Sequence, residues 1–214
     1  MGRIRKKVGT KEELLSYSPP IALNPETNKG KWRAYFGNSN PIHIEIGTGK
    51  GTFITTLASR NPEINYLGFE KVEEVLLLAT KKAINLNLKN MGFIWGDVSD
   101  ILEYFAPEEI DRLYINFCDP WPKKRHEKRR LTYRDFLDFY QQILKPEGEI
   151  HYKTDNEGLF QSSLNEFCHR KWNLKNISLN LYKDLPEDNV ATEYETKFVG
   201  KGSSIFRLEA NIPD

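Results

Sequence analysis

Ile42-His43-Ile44-Glu45-Ile46-Gly47-Thr48-Gly49-Lys50-Gly51 is the stretch that decides the architecture of this chain. Three isoleucines in five positions favour a short strand, because β-branched side chains fit a pleated surface. The strand breaks on three glycines, and Gly51 to Arg60 then reads as a helix that stops near Pro62. Glycine is needed where backbone must turn tightly and approach another group closely. A strand running through such a turn into a helix marks the first βα unit of a parallel α/β sheet.

Working outward, the same alternation repeats. Strands are expected at Asn65 to Glu70, Gly92 to Trp95, Asp111 to Cys118 and Gly148 to Thr154. Helices are expected at Val72 to Leu88, near Ser99 to Phe105, at Leu131 to Leu144 and at Glu157 to Arg170. Lys145-Pro146-Glu147-Gly148 reads as a turn. Leu174 to Tyr182 and Ser203 to Ala210 read as two final strands joined by a polar loop, which suggests an antiparallel hairpin. Strands alternating with helices define an α/β fold with a mostly parallel sheet. The regular pattern starts at Pro41, so the expected organisation is one domain over 41–214. Residues 1–40 are then a basic extension packing on or beside it. That extension carries Arg3, Arg5, Lys6, Lys7 and Lys11, and a short helix is expected over Gly30 to Phe36.

With 214 residues, 39% hydrophobic and 29% charged, the chain can bury a full core without staples. Cys118 and Cys168 have no partners at metal-ligand spacing, so no metal is expected and both thiols read as reduced and buried. The basic start is not followed by an apolar stretch, so it does not read as a secretory leader. No apolar run approaches the roughly 20 residues needed to span a bilayer. The expectation is a cytoplasmic protein without a membrane partner. The net charge of +1 announces no polyanion; its distribution does, as shown below.

Three nucleotide-type ligands compete for the glycine turn. A phosphate-binding P-loop needs Gly-Lys followed by Ser or Thr, with a Gly five positions earlier; here Gly51 follows and position 44 is Ile44. A dinucleotide fingerprint needs Gly at position 52, which is Thr52. Glu45, two residues before the first glycine, would also repel a pyrophosphate. S-adenosylmethionine reverses that preference, since it carries a sulfonium and an ammonium and no phosphate. The blander alternative is a glycine turn with no ligand at all. Glu70 counts against that, because it ends the second strand about twenty residues on, where a carboxylate can bond a ribose diol. Asp97 follows the third strand and is placed for an adenine edge. Each acid alone is more often a helix cap. Three at successive strand ends point to a ligand.

The fourth strand runs into Asp119-Pro120-Trp121-Pro122, where two prolines lock φ and remove two donors, so a rigid loop is expected. Seven of the twelve residues from Lys123 to Arg134 are Lys or Arg. A charge run is commonly a solvated face. A contiguous one beside a ligand crevice is an electrostatic footprint for phosphates. Trp121 reads equally as a base-stacking platform or a structural anchor.

Taken together, the segments Ile44 to Gly51, Leu113 to Arg134, His151 to Asn156 and Thr192 to Phe198 resemble the bacterial tRNA (guanine-N7-)-methyltransferase family. The resemblance implies a Rossmann-like class I methyltransferase fold. Its central sheet would be seven-stranded and mostly parallel, with a C-terminal antiparallel strand and helices on both faces. It also implies transfer of a methyl group from S-adenosylmethionine to guanine N7 in the variable loop of tRNA. By the same resemblance Glu45, Gly47, Gly49, Glu70, Asp97 and Asp119 are cofactor contacts, and Asp119 is the catalytic acid. Lys123, Asp155, Thr192, Glu193, Tyr194 and Glu195 are acceptor-binding positions. Arg125, His126, Glu127, Lys128, Arg129 and Arg130 form the RNA contact region. Two rivals stay open: a methyltransferase acting on an exocyclic amino group, and an inactive RNA-binding module. Monomer and homodimer are both compatible with the sequence.

Overall fold

A computed structural model describes residues 8–213. Arg3, Arg5, Lys6 and Lys7 of the basic start lie outside the described residues. The chain divides into two compact units, Met1–Ala106 and Pro107–Asp214.

In the first unit β1 (Ile42–Ile46), β2 (Asn65–Glu70) and β3 (Met91–Trp95) run parallel in the order β3-β2-β1. All five residues of β1 are buried, the signature of a parallel strand covered on both faces. Helices α3 (Thr52–Arg60) and α4 (Glu73–Asn85) follow β1 and β2, and the short α5 (Ile101–Tyr104) follows β3. The segment before β1 is built into this unit. Helix α1 (Thr10–Ser16), which carried no expectation, lies against α4 with Lys81 Nζ 2.5 Å from Glu13 Oε1. Phe93 N donates to Pro20 O at 2.9 Å and Ala22 N to Phe93 O at 3.0 Å, so the chain lines the edge of β3. Helix α2 (Trp32–Phe36) buries Trp32 completely, and its indole N–H donates to Tyr104 O.

The second unit holds β4 (Ile110–Asn116), α6 (Arg134–Ile143), β5 (Leu144–Thr154), α7 (Glu157–His169), β6 (Asn173–Ser178), α8 (Glu193–Val199) and β7 (Phe206–Asn211). Its strand order is β4-β5-β7-β6, with β4 and β5 parallel and β7 antiparallel to both its neighbours. Ile150, Tyr152 and Thr154 are buried on one face of β5, where Tyr152 stacks on Phe160 of α7 and Phe160 on Phe206 of β7. The residues between them carry charge. Glu149 meets Arg112, Lys175 (2.8 Å) and His151 (2.8 Å), and Glu209 pairs with Arg207.

Among the described residues the strands thus number seven, mostly parallel, with the antiparallel one last in the chain. Several boundaries differ from expectation. The last two strands pair, but α8 stands between them where a polar loop was expected. Thr192 and Glu195 bond each other's backbone in a capping box, which nucleates that helix. Strand β5 spans Leu144–Thr154, directly after α6, but Lys145 to Gly148 has no register partner on β4. The register jumps from Ile110–Leu144 to Arg112–Glu149, so the expected turn appears as a bulge inside the strand. Lys124–Arg129 is a 3-10 helix, and α6 starts at Arg134 rather than Leu131. Of the two thiols expected to be buried, Cys168 is exposed, whereas Cys118 is half-buried as a residue and burial pushes its thiol up to about 12.

Candidate functional site

In the first unit the turn after β1 is held by backbone. Gly47 N and Thr48 N both donate to Phe69 O of β2, at 2.8 and 3.0 Å. Gly47, Gly49 and Gly51 all have positive φ, at 74°, 57° and 77°. A Cβ at Gly47 would meet nothing within 4 Å, so the backbone there is open to a ligand. At Gly51 a Cβ would come within 2.7 Å of Ala79 Cβ. Gly51 therefore lets α4 approach the start of α3, which is packing and not ligand contact.

Glu45 is 2% exposed and receives the Thr48 hydroxyl at 2.7 Å, so its charge lies beneath the turn. Glu70 Oε2 accepts from Gly49 N at 3.1 Å, and Oε1 accepts from Lys71 N and Val72 N, both at 2.9 Å. A carboxylate has roughly four lone-pair sites, so Glu70 keeps room for a further donor such as a ribose hydroxyl. Asp97 is exposed and caps the turn after β3. Its Oδ1 takes Ser99 N and Ser99 Oγ at 3.0 Å, and the backbone bond from Ser99 holds its carboxyl below the usual range. Gly96 N donates to Glu70 O at 3.2 Å, so these strand-end acids gather at one end of the first unit's strands.

In the second unit the loop after β4 starts and ends in strained backbone. Phe117 and Trp121 have φ of 52° and 39°, unusual for aromatic residues. Arg130 clamps the loop from inside: Nε donates to Pro120 O, Nη2 to Trp121 O, both at 3.1 Å, and Nη1 to Ser162 Oγ of α7 at 2.8 Å. The Trp121 ring is engaged by the Arg129 guanidinium at 4.9 Å and edge-on by His126. Lys123, Lys124, Arg125, Lys128 and Arg129 are exposed, while His126 and Glu127 are half-buried.

Asp119 is exposed and Asp155 half-buried. Both carboxylates bear on Tyr194, whose phenol is pushed up by burial and then by Asp155 and Asp119. The Tyr194 ring stacks on Phe198 at 4.2 Å and lies 5.1 Å from Phe117. Glu195 is fully enclosed. Its carboxylate takes Lys153 Nζ at 3.0 Å, the Tyr182 hydroxyl at 3.1 Å, Asn189 Nδ2 and Thr192 N at 3.3 Å. Burial beside that carboxylate pushes Tyr182 up to about 12. Lys153 spends its three donors on Glu195, Asn189 Oδ1 (2.7 Å) and Val190 O (3.0 Å). Sequence reasoning did not single out Lys153, Tyr182, Asn189 or Phe117. The available signal was Lys153 itself, a charged residue in the buried part of a strand.

A seven-stranded, mostly parallel strand set with an open glycine turn above strand-end acids defines a Rossmann-like methyltransferase. Residues 39–208 match the family described as putative methyltransferases. Among solved structures, an S-adenosylmethionine-dependent methyltransferase from Aquifex aeolicus shares this fold (TM-score 0.58, 15% identity, 96% of this chain and 100% of that one). An antibiotic-related methyltransferase does too (TM-score 0.66, 19% identity, 86% and 94%). Two relatives are much nearer in sequence, and both are named tRNA (guanine-N(7)-)-methyltransferase. The one from Clostridioides difficile strain 630 is 56% identical, covering 97% of this chain and 98% of its own. The one from Streptococcus sanguinis strain SK36 is 51% identical over the same shares. The chain belongs to the tRNA (guanine-N7-)-methyltransferase family.

No helix among the described residues is long and apolar enough to cross a membrane.

Proposed function

We propose that this chain transfers a methyl group from S-adenosylmethionine to N7 of a guanosine in the variable loop of tRNA. One observation carries the reading beyond kinship. The charges of Asp155 and Asp119 reach the Tyr194 phenol, the Tyr194 ring lies 5.1 Å from Phe117 two residues before Asp119, and Asp119 shares its rigid loop with an exposed basic run.

The cofactor supplies a methyl carbon made electrophilic by a sulfonium. The first unit suits such a ligand: Gly47 offers unobstructed backbone, Glu70 retains acceptor capacity for a ribose hydroxyl, and Glu45 places negative charge beneath the turn. Asp97 serves first as a cap through Oδ1, while Oδ2 lies 4.0 Å from Lys71 Nζ in an exposed pair that an adenine edge can displace.

Guanine N7 attacks with its own lone pair and loses no proton, so the chain needs no general base. The purine becomes cationic as the methyl group arrives. Asp119 then acts by position and charge, holding the base and stabilising the positive charge that grows on it. Asp155 and the ring of Tyr194 fix the acceptor's orientation, with Thr192, Glu193 and Lys123 at the margin. Glu195 acts indirectly, because its enclosed carboxylate shapes the turn that presents Tyr194. Lys128, Arg129 and Arg125 hold RNA phosphates, with His126 and Glu127 beside them, while Arg130 is a positioning residue that clamps the loop.

Incubation with labelled S-adenosylmethionine and unmodified tRNA, followed by nucleoside mass spectrometry, tests this directly. N7-methylguanosine is the expected product. Label on an exocyclic amino group would move the chain to the rival chemistry.

A further inference from the structure

Three contacts in the second unit form a ladder between α6, with the residues leading into it, and α7. Arg130 Nη1 donates to Ser162 Oγ at 2.8 Å, Arg134 Nη2 pairs with Glu166 Oε1 at 3.1 Å, and Arg170 Nη2 pairs with Asp138 Oδ2 at 2.5 Å. The partners advance four residues at a time on both sides, so along α7 successive rungs lie about one helical turn, roughly 6 Å, apart. At the last two rungs there is a cavity of about 290 Å³ lined by Arg134, Glu166, His169 and Arg170. None of these four residues has a part in the reaction described above.

A solvated ion-pair surface explains some of this geometry but not all of it. The Arg134 and Arg170 side chains are 50% and 37% exposed, so water screens each ion pair and it is readily exchanged. Each guanidinium carries five N–H donors in a fixed fork, and the ion pair occupies one nitrogen. His169 is exposed and adds an imidazole donor. Glu166 is the informative member, because its Oε2 is buried with no hydrogen-bond partner. An orphaned acceptor of this kind calls for a donor. Free phosphate would suit the arginines yet offer Glu166 only repulsion. A ribose-phosphate unit satisfies both, presenting an anion to the cations and a 2′-hydroxyl to the carboxylate.

We infer that the cavity between α6 and α7 is a second backbone contact for the tRNA, with a phosphate on Arg134, His169 and Arg170 and a ribose 2′-hydroxyl on Glu166. Arg130 joins this contact to the basic loop, since the same guanidinium holds Pro120 O and Trp121 O on one side and Ser162 on the other. The RNA surface therefore continues along the ladder beyond the loop. The inference rests on the tRNA reading given above.

The test is the salt dependence of tRNA affinity for the full chain, the double variant H169Q/R170Q, and R170K. Removing the cation that neutralises one phosphate lowers the slope of log affinity against log salt by about 1. H169Q/R170Q should show that fall, with affinity down on the order of tenfold at low salt. R170K, which keeps the charge, should retain the wild-type slope. Thermal melting and S-adenosylmethionine binding of all three should agree. A wild-type slope and affinity in the double variant would overturn the inference, as would an equal loss in R170K, which would point to structural damage. If the unaltered chain methylates tRNA but H169Q/R170Q binds it normally, only the cavity assignment falls. If the unaltered chain does not methylate tRNA, the functional reading itself falls.

Discussion

Lys153 Nζ lies 3.0 Å from Glu195 Oε2, with side chains 8% and 0% exposed, and this buried pair underpins the turn that carries Tyr194. Removing one partner of such a pair strands a charge away from water. Glu195→Ala would take away the carboxylate that pairs with Lys153 and would also undo the capping box of α8. It should destabilise the chain by about 3–5 kcal/mol in denaturant unfolding. A loss under about 1 kcal/mol, the scale of an exposed pair, would show that water reaches Lys153.

Asp119→Ala should slow the chemical step. A preorganised charge aimed at the transition state is worth on the order of 10²–10³ in rate. Single-turnover transfer at saturating tRNA isolates that step from binding. An unchanged rate constant would remove Asp119 from the reaction.

The two ends of the glycine turn should respond differently to alanine. Gly47→Ala meets only the cost of a left-handed φ, roughly 1–2 kcal/mol, because nothing lies within 4 Å of its Cβ. Gly51→Ala adds a collision with Ala79, whose Cβ would be 2.7 Å away. Thermal melting should therefore rank Gly51→Ala as the more damaging. Calorimetric titration with S-adenosylmethionine should rank Gly47→Ala as the more damaging to affinity relative to its modest loss of stability. The reverse order in both would mean that the turn packs and binds in another manner.

Lys128→Ala and Arg129→Ala should each weaken tRNA binding and flatten its salt dependence, by about 1 in slope for every phosphate no longer neutralised. Filter binding across a salt series reads this out. Arg129 has the larger structural share, since its guanidinium also covers the Trp121 ring. Retention of the full slope in both variants would take the 3-10 helix off the RNA.

Acid should erode the second unit through Glu149. Its hydrogen bond with His151, then Lys175 and Arg112, holds the Glu149 carboxyl well below its usual 4.5 against the opposing effect of burial. A folded-state value below the unfolded one means that the stabilisation is complete above about pH 4.5 and is lost as pH falls towards the depressed value. The difference in melting temperature between the wild type and Glu149→Gln should shrink as pH falls below about 4.5. A difference that grows below about pH 4.5 would reverse the sign and contradict the pairing.

Much of the fold is legible in the sequence. The alternation of strands with helices from Ile42 to His169 follows from local periodicity, because a parallel strand covered on both faces must be apolar throughout, as β1 is. The glycine turn and the acids at Glu45, Glu70 and Asp97 are legible because spacing alone separates this turn from the phosphate-binding ones. Helix α8 has a local signal too, the capping-box spacing of Thr192 and Glu195, but its polar neighbours make the segment read as a loop. The start of β5 at Leu144 has none, since Pro146 and Gly148 argue locally for a turn, which the chain keeps as a bulge, and only the pairing of Leu144 with Ile110 adds a residue of strand before it.

The sequence by itself determined the fold class, the glycine turn with its strand-end acids, and the basic character of the segment after Asp119. These depend on residue order over short distances, which periodicity and turn chemistry expose. Only the tertiary structure decided which charges are free to act. Arg130 faces inward to clamp the loop, Glu195 is buried by Lys153, and Arg170 meets α6 from 32 residues away. A side chain's partner is fixed by where the chain returns in space, and local sequence does not record that return.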